Sequence, residues 1–367
     1  MQERGGLGGV TVAASYHEGR DVFPHNPVRR IRFLESGAVF FEPRALRGVR
    51  LTPPVSRTIG ALPEAIQAAG RRGMQVRAWA VFLHNGALAE THPGCAPENA
   101  FGDRYVTDLC PAHPDVRAFA RALAEDVARL GVERICAESL HYHGLEHGYA
   151  HERYFVPLGP RVRYLLGLCF CEHCLVAARS RGVDGGEARR RAREEIERAF
   201  AGDADDAAEP ERDEYAAVRE EVVTSLVAEV ADAASPVPLE QIELSGAVLG
   251  YADGRPSGPP APSIAWQVGL DVEGVSRVCA GIEAIGYAAD PERVRGDLAA
   301  YGDAAVSVIY RPALPDSTTA DNLRAKVDLA RERGLGRVDF YHYGLMRLDA
   351  LDLVREALSA RPASAPV

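Results

Sequence analysis

Short runs of β-branched and aromatic residues alternate along this chain with stretches whose apolar positions recur at helical spacing, the pattern of parallel strands joined by crossover helices. Eight strand-like runs are predicted, over residues 10–16, 38–41, 76–82, 134–140, 242–246, 283–288, 305–310 and 338–343. Crossover helices are predicted over 63–69, 116–130, 291–299, 319–333 and 350–358, with Pro114 and Asp115 marking the start of the second. Eight βα units predict an α/β protein, a (β/α)8 TIM barrel formed by residues 1–367 as a single domain. The first connection breaks the pattern. Residues 18–32, with Pro24, Asn26 and Pro27, make a poor helix and are predicted as a long loop on the active face. Between the fourth and fifth strands lies an extended insertion, 149–238, with an Arg/Glu-rich helix over 186–200, an acidic linker over 201–210 and a longer helix over 214–233. A Pro- and Gly-rich loop follows at 252–263.

Length and composition fit this picture. A chain of 367 residues with 47% hydrophobic content can bury a large core. A formal charge of -10 argues against nucleic acid, which rewards clustered positive charge. No apolar run approaches the length of a membrane span, and the first residues lack the apolar stretch of a secretory signal. A cytoplasmic protein with no membrane partner is expected, with a homo-oligomer left open.

The cysteines add a constraint. Cys169, Cys171 and Cys174 form a C-x-C-x-x-C turn that can aim three sulfurs at one point, and Cys110 is the best candidate for the fourth vertex of a tetrahedral zinc. His173 is the alternative fourth ligand, and buried thiols or a redox pair are the alternative to a metal. A four-cysteine shell is closed, so such a Zn2+ is structural and chemistry must lie elsewhere. Cys95, Cys136 and Cys279 are scattered singly.

In a barrel, chemistry gathers at the C-terminal ends of strands. The fourth run ends in Glu138, followed by His141 and His143, and a carboxyl among apolar strand residues has its charged form disfavoured, which suits a general acid. The third run and its loop bring Trp79, His84, Asn85, Asp103 and Arg104; the first brings Tyr16 and His17. The later runs bring Tyr287, Arg311, Tyr341 and His342. Aromatic faces and hydrogen-bonding groups at several mouths predict a pocket for a small carbohydrate. Glycosidases generally need a second carboxylate. Asp290, after the sixth run, is the first candidate, although Asp290-Pro291 also reads as a helix cap; Glu243 and Asp316 are reserves. His141, His143 and His147 leave open a different class, a metal-dependent hydrolase or isomerase, and a non-catalytic carbohydrate-binding barrel is a third reading.

Cys110-Pro111, the later C-x-C-x-x-C and a fourth-strand glutamate between them, spanning roughly residues 76–175, resemble the zinc-containing β-galactosidases of glycoside hydrolase family 42. The resemblance implies a (β/α)8 barrel, a structural zinc on Cys110, Cys169, Cys171 and Cys174, and acid/base work for Glu138. The chain departs from the family pattern in two places. Ala137 stands where the family has an asparagine, and the seventh run, through Tyr310 and Arg311, offers no carboxylate where the family's nucleophile lies.

Overall fold

The computed structural model describes residues 1–146, 153–203, 205, 207–249 and 259–359. His147 and most of the loop at 252–263 therefore lie outside the described residues. The strands, in chain order, are β1 (Gly9–Tyr16), β2 (Gly19–Val22), β3 (Ile31–Leu34), β4 (Ala38–Val39), β5 (Gln75–Val81), β6 (Arg134–Glu138), β7 (Leu239–Ile242), β8 (Ile282–Ile285), β9 (Ala305–Tyr310) and β10 (Arg337–Phe340). Eight of them form one curled sheet in the order β10-β9-β8-β7-β6-β5-β1-β4. All neighbours are parallel except β4, which runs antiparallel to β1. Helices coat the sheet, and the fold is an α/β barrel.

The helical coat follows from sequence spacing. In helix Pro114–Ala128, Val116, Phe119, Ala120, Leu123, Ala124 and Val127 form one buried stripe. Its cap is His113, whose ring nitrogen accepts the Asp115 amide at 3.1 Å, with Pro114 opening the first turn. Asp126 on this helix is buried because the amides of Arg44, Ala45 and Leu46 donate to it at 2.8 to 3.1 Å, tying down the turn after β4.

Three expectations about the frame change. The run at 38–41 does not become a parallel second strand: β4 is two residues long, and β1 pairs directly with β5. Gly37 is why the chain turns there, since its φ of +62° and its contact with Asn85 leave no room for a side chain. Residues 18–32 are no plain loop but contain the hairpin of β2 and β3. The predicted insertion at 149–238 divides in two. Helix Glu214–Ala234 packs on Pro114–Ala128, where Arg117 pairs with Glu229 at 2.6 Å, as a crossover helix of the barrel. The segment before it builds a smaller core around Leu165, Phe170, Ile196 and Tyr215. No helix among the described residues is long and apolar enough to cross a membrane.

The inside of the barrel is charged below its mouth. Arg337 reaches Glu240 at 2.6 Å, Glu283 at 2.8 Å and Asp339 at 2.5 Å, while Arg77 reaches Asp339 at 2.7 Å and Arg134 reaches Glu240 at 2.9 Å. Burial, and then the neighbouring Asp339, push the Glu283 carboxyl up to about 8 against the pull of Arg337, so it is neutral at pH 7. The folded chain thus holds a proton that the unfolded chain releases near the ordinary value of 4.5. This contribution to stability is full below that value and is lost as pH rises to about 8. Arg337→Met is therefore expected to lower the unfolding free energy by about 3–5 kcal/mol, because Glu240 and Asp339 each lose one of their two cations and Glu283 loses a charged hydrogen-bond donor. Glu283→Gln is expected to leave stability at pH 7 intact and to flatten its decline with pH. Urea titrations of both variants across pH 5 to about pH 9 check this; equal losses at pH 7 would mean that Glu283 is ionised there.

Candidate active site

Glu138 closes β6, and the chain leaves it through Ser139 at φ 57°, a conformation that side chains other than glycine seldom adopt. The residue is 8% exposed. Trp79, one strand over on β5, donates its indole N–H to Glu138 Oε2 at 2.6 Å, and His17 Nε2 lies 4.0 Å from Oε1. Burial pushes the Glu138 carboxyl up to about 7, a rise that the Trp79 bond and the charge of His84 only partly offset.

Aromatic rings frame this acid. Trp79 meets Tyr16 and Tyr341 edge-on, both at 5.3 Å between centroids, and the two tyrosine hydroxyls are 3.5 Å apart. Tyr287 lies beside Tyr341, with the Arg311 guanidinium 4.2 Å over its ring; Arg311 also reaches Asp316 at 3.4 Å. His342 neighbours both Trp79 and Tyr341, and burial lowers its pKa. Tyr16, Trp79, Tyr341 and His342 line the upper part of a cavity of about 1050 Å³. Glu138 is not on that wall itself: Trp79, which is, carries the contact to it.

On the other side of Glu138 is a histidine cluster. His84 and His143 both place Nδ1 on Asp108 Oδ1, at 2.8 and 2.6 Å, and Thr107 donates to Oδ2 at 2.8 Å. These are hydrogen-bond lengths. Burial alone would raise the Asp108 pKa, but His143 and His84 together hold it well below the usual carboxylate range. Burial likewise works against charge on His84, and Asp108 outweighs it, so the His84 pKa is raised. His17, edge-on to His84 at 4.9 Å, is lowered to about 4, mainly by burial. Of the three histidines that leave a metal reading open, His143 goes to Asp108 with His84, His141 turns Nδ1 to the Tyr142 carbonyl at 2.6 Å, and His147 lies outside the described residues; the nitrogens of His84 and His143 and an Asp108 oxygen are close enough together to hold a metal ion.

Several expected site residues serve the scaffold instead. Asp290 is exposed and caps helix Pro291–Ala300, accepting the Glu292 amide at 3.0 Å, so it is not the partner of Glu138. Asn85 caps helix Gly86–Thr91 through Leu88 N and donates to Gly37 O. Asp103 pairs with Asn99, and Arg104 with Glu98 and the carbonyls around Pro93, which ties the loop 93–105 to itself at the surface. Glu243 is locked by Ser245 N and Tyr301 OH, both at 2.6 Å, and Asp316 is buried behind Arg311. The carboxylate that does reach the mouth is Asp21 on β2. It lines the cavity, and both Tyr16 and Tyr341 feel its charge together with that of Glu138. Burial raises the Asp21 pKa, with His342 and Arg32 opposing. Asp21 went unnoticed because 18–32 read as loop; the alternation Arg20-Asp21-Val22 facing Ile31-Arg32-Phe33 is the signal that could have found it.

The four sulfurs of Cys110, Cys169, Cys171 and Cys174 come together behind this cluster. Cys110 Sγ lies 3.8, 3.6 and 3.5 Å from the other three, all of which are buried. A tetrahedron with Zn–S bonds of about 2.3 Å has edges of about 3.8 Å, so this donor set can hold one zinc ion. Glu98 N and Tyr142 OH contact two of the sulfurs, at 3.4 and 3.2 Å. His173 instead packs on His113.

No protein-family model matches the chain, and no curated protein does. Among solved structures, α-L-fucosidase isoenzyme 2 from Paenibacillus thiaminolyticus is 12% identical with a TM-score of 0.49, covering 97% of this chain and 44% of that one. A β-galactosidase from Bacillus circulans sp. alkalophilus is 12% identical with a TM-score of 0.48, covering 83% and 45%. The catalytic domain of a β-amylase from Paenibacillus polymyxa is 10% identical with a TM-score of 0.45, covering 81% and 82%. The chain thus spans less than half the length of the first two. Likeness at this level identifies neither family nor activity.

The Trp79 bond makes a direct prediction. Trp79→Phe removes a donor that favours the ionised carboxylate, so the Glu138 pKa is expected to rise above 7. The carboxyl stretch in infrared titrations, assigned by its loss in Glu138→Gln, reads this out; an unchanged midpoint would mean that the bond is not formed in solution.

Proposed function

We propose that the chain is a glycosidase-like hydrolase acting on a small glycoside, with Glu138 as its general acid. The observation that carries this reading is Glu138 itself, a carboxyl buried at the end of a barrel strand that keeps its proton to about pH 7 beside aromatic rings suited to a sugar face. In this reaction, once the substrate displaces the Trp79 indole that stands between the cavity and the carboxyl, Glu138 donates its proton to the glycosidic oxygen as the bond to the anomeric carbon breaks, and a second carboxylate either attacks that carbon or takes a proton from water. We assign that second role to Asp21. Tyr16 and Tyr341 are in electrostatic reach of both acids, and His342 and Arg32 oppose the burial that raises the Asp21 pKa, in the direction the role needs. The resemblance to family 42 β-galactosidases supports the acid and the cysteines, while the second acid is this chain's own solution.

The same reading gives the four cysteines a structural Zn2+. Cys110 and the 169–174 turn would hold it, and the ion supplies a crosslink between the connections after β5 and β6, with no open coordination position for catalysis.

Hydrolysis of a panel of nitrophenyl glycosides tests the catalytic reading. Turnover is expected to fall as pH rises through about 7, because only protonated Glu138 donates, and Glu138→Gln and Asp21→Asn are each expected to lose about 100-fold or more. A panel with no turnover, or full activity in Glu138→Gln, overturns the assignment; activity retained in Asp21→Asn alone moves the second role elsewhere. Zinc is checked separately by elemental analysis, with about one ion per chain expected and Cys171→Ser expected to lose both the ion and about 2 kcal/mol or more of stability.

A further inference from the structure

Among the described residues the sheet is least covered at one flank, between β10 and β1. Parallel strands normally bury both faces, and β7 does so completely. Every residue of β10 is only half-buried, as are the first five of β1, and among the described residues no backbone ladder joins these two strands. The chain passes from β1 through the β2–β3 hairpin at the mouth before helix Ala61–Gly70 crosses to β5, and among the described residues the outer layer at this flank is made by that helix, helix Ala350–Leu358 and the four-residue helix Gln2–Gly5 that packs on the latter.

The space left there belongs to the same 1050 Å³ cavity whose upper wall is Trp79, Tyr341, His342 and Asp21. This is at the large end for a small-molecule site. Its lower reach has an apolar wall, Val10 and Val12 of β1, Val338 and Phe340 of β10, and Leu351 and Val354 of the last helix, and meets the charged groups Arg77, Glu283, Arg337 and Asp339 on the barrel side. Helix Ala61–Gly70, about 15 Å long, turns Ala65, Ala68 and Ala69 toward the gap, side chains too short to fill it. The cavity therefore joins a polar, aromatic head to a tail with an apolar outer wall.

We infer that the substrate is a glycoside with a long unbranched apolar aglycone, whose sugar sits at the mouth and whose chain lies in the β10–β1 seam. This rests on the glycosidase reading above and names the substrate class for the same site. A chain laid along the apolar wall covers the strand faces that are half-exposed there, and each methylene it buries tightens binding about four-fold.

The test is a chain-length series of methyl, octyl and dodecyl glucosides and galactosides, below their micelle-forming concentrations, titrated into full-length Glu138→Gln by calorimetry so that nothing turns over. Dodecyl glycosides are expected to bind at least about 100-fold more tightly than the methyl glycosides. Ala65→Leu, which narrows the tail, is expected to erase most of that gain while leaving methyl glycoside binding unchanged; Ala68→Leu serves if the first variant fails to fold. Equal affinity for methyl and dodecyl glycosides overturns the proposal, as does a loss in Ala65→Leu that is the same for both. A dimer of the free protein that Ala65→Leu dissociates also overturns it, since a second copy then fills the seam. Dodecanoic acid separates the two readings: if it binds as tightly as the dodecyl glycosides while methyl glycosides do not bind, the seam is a chain site and the sugar reading of the mouth falls instead.

Discussion

The burial of one carboxyl group governs this site. Glu138 sits where β6 meets the barrel mouth, and a carboxylate removed from water there is costly unless donors surround it. It receives one strong donor, the Trp79 indole, and a histidine at a distance, which leaves the proton in competition near neutrality. A second direct donor would hold the group ionised, and with no donor it would stay protonated far above neutral pH. The half-satisfied state makes the group able to give up a proton, and the rings around Trp79 keep the indole aimed at it.

That aim depends on parts of the chain far from β6. Asp108 gathers His84 and His143, and His84 carries the charge that Glu138 feels. Asp108 stands two residues before Cys110, whose sulfur meets the 169–174 turn, and Tyr142 touches the same cluster from the connection after β6. The proposed zinc therefore fixes the two connections that carry the histidines. Beneath the mouth, Arg337 and Arg77 neutralise the acids inside the barrel, so that part of the interior is held by charge pairing where barrels usually pack branched apolar side chains.

Much of this was legible in the residues. The strands at 76–82 and 305–310 and the helices at 291–299 and 350–358 lie within a residue or two of their predicted limits, because strong apolar runs and Pro or Asp caps mark them. The run at 38–41 misled because four apolar residues carry no information about pairing direction, and direction was decided by Gly37 and the amides that Asp126 holds. The fifth strand lies three to four residues before its predicted place: Glu243 still donates its amide to Glu283 O, but its side chain accepts Ser245 N and turns the chain away there. For Asp290 the cap reading prevailed: a carboxylate directly before Pro291 satisfies the first free amides of a helix, and that local bond needs no partner across the barrel. Asp108 was invisible for the opposite reason, since it acquires its role from His84 and His143, each more than twenty positions away, and Asp21 because its place depends on the pairing of β2 with β3 and on His342 after β10.

The hairpin of β2 and β3 is an addition to the first connection, which still reaches β5 through helix Ala61–Gly70. β2 and β3 turn Asp21, Arg32 and Leu34 toward the cavity and leave Val22, Ile31 and Phe33 more than half exposed, the reverse of a hairpin that packs an apolar face on a core. The added hairpin therefore brings an acid to the cavity beside Tyr341 and His342, above the flank where β1 and β10 stay half-exposed. Mouth and flank belong to one cavity, so a ligand that uses one without the other leaves part of the space unfilled.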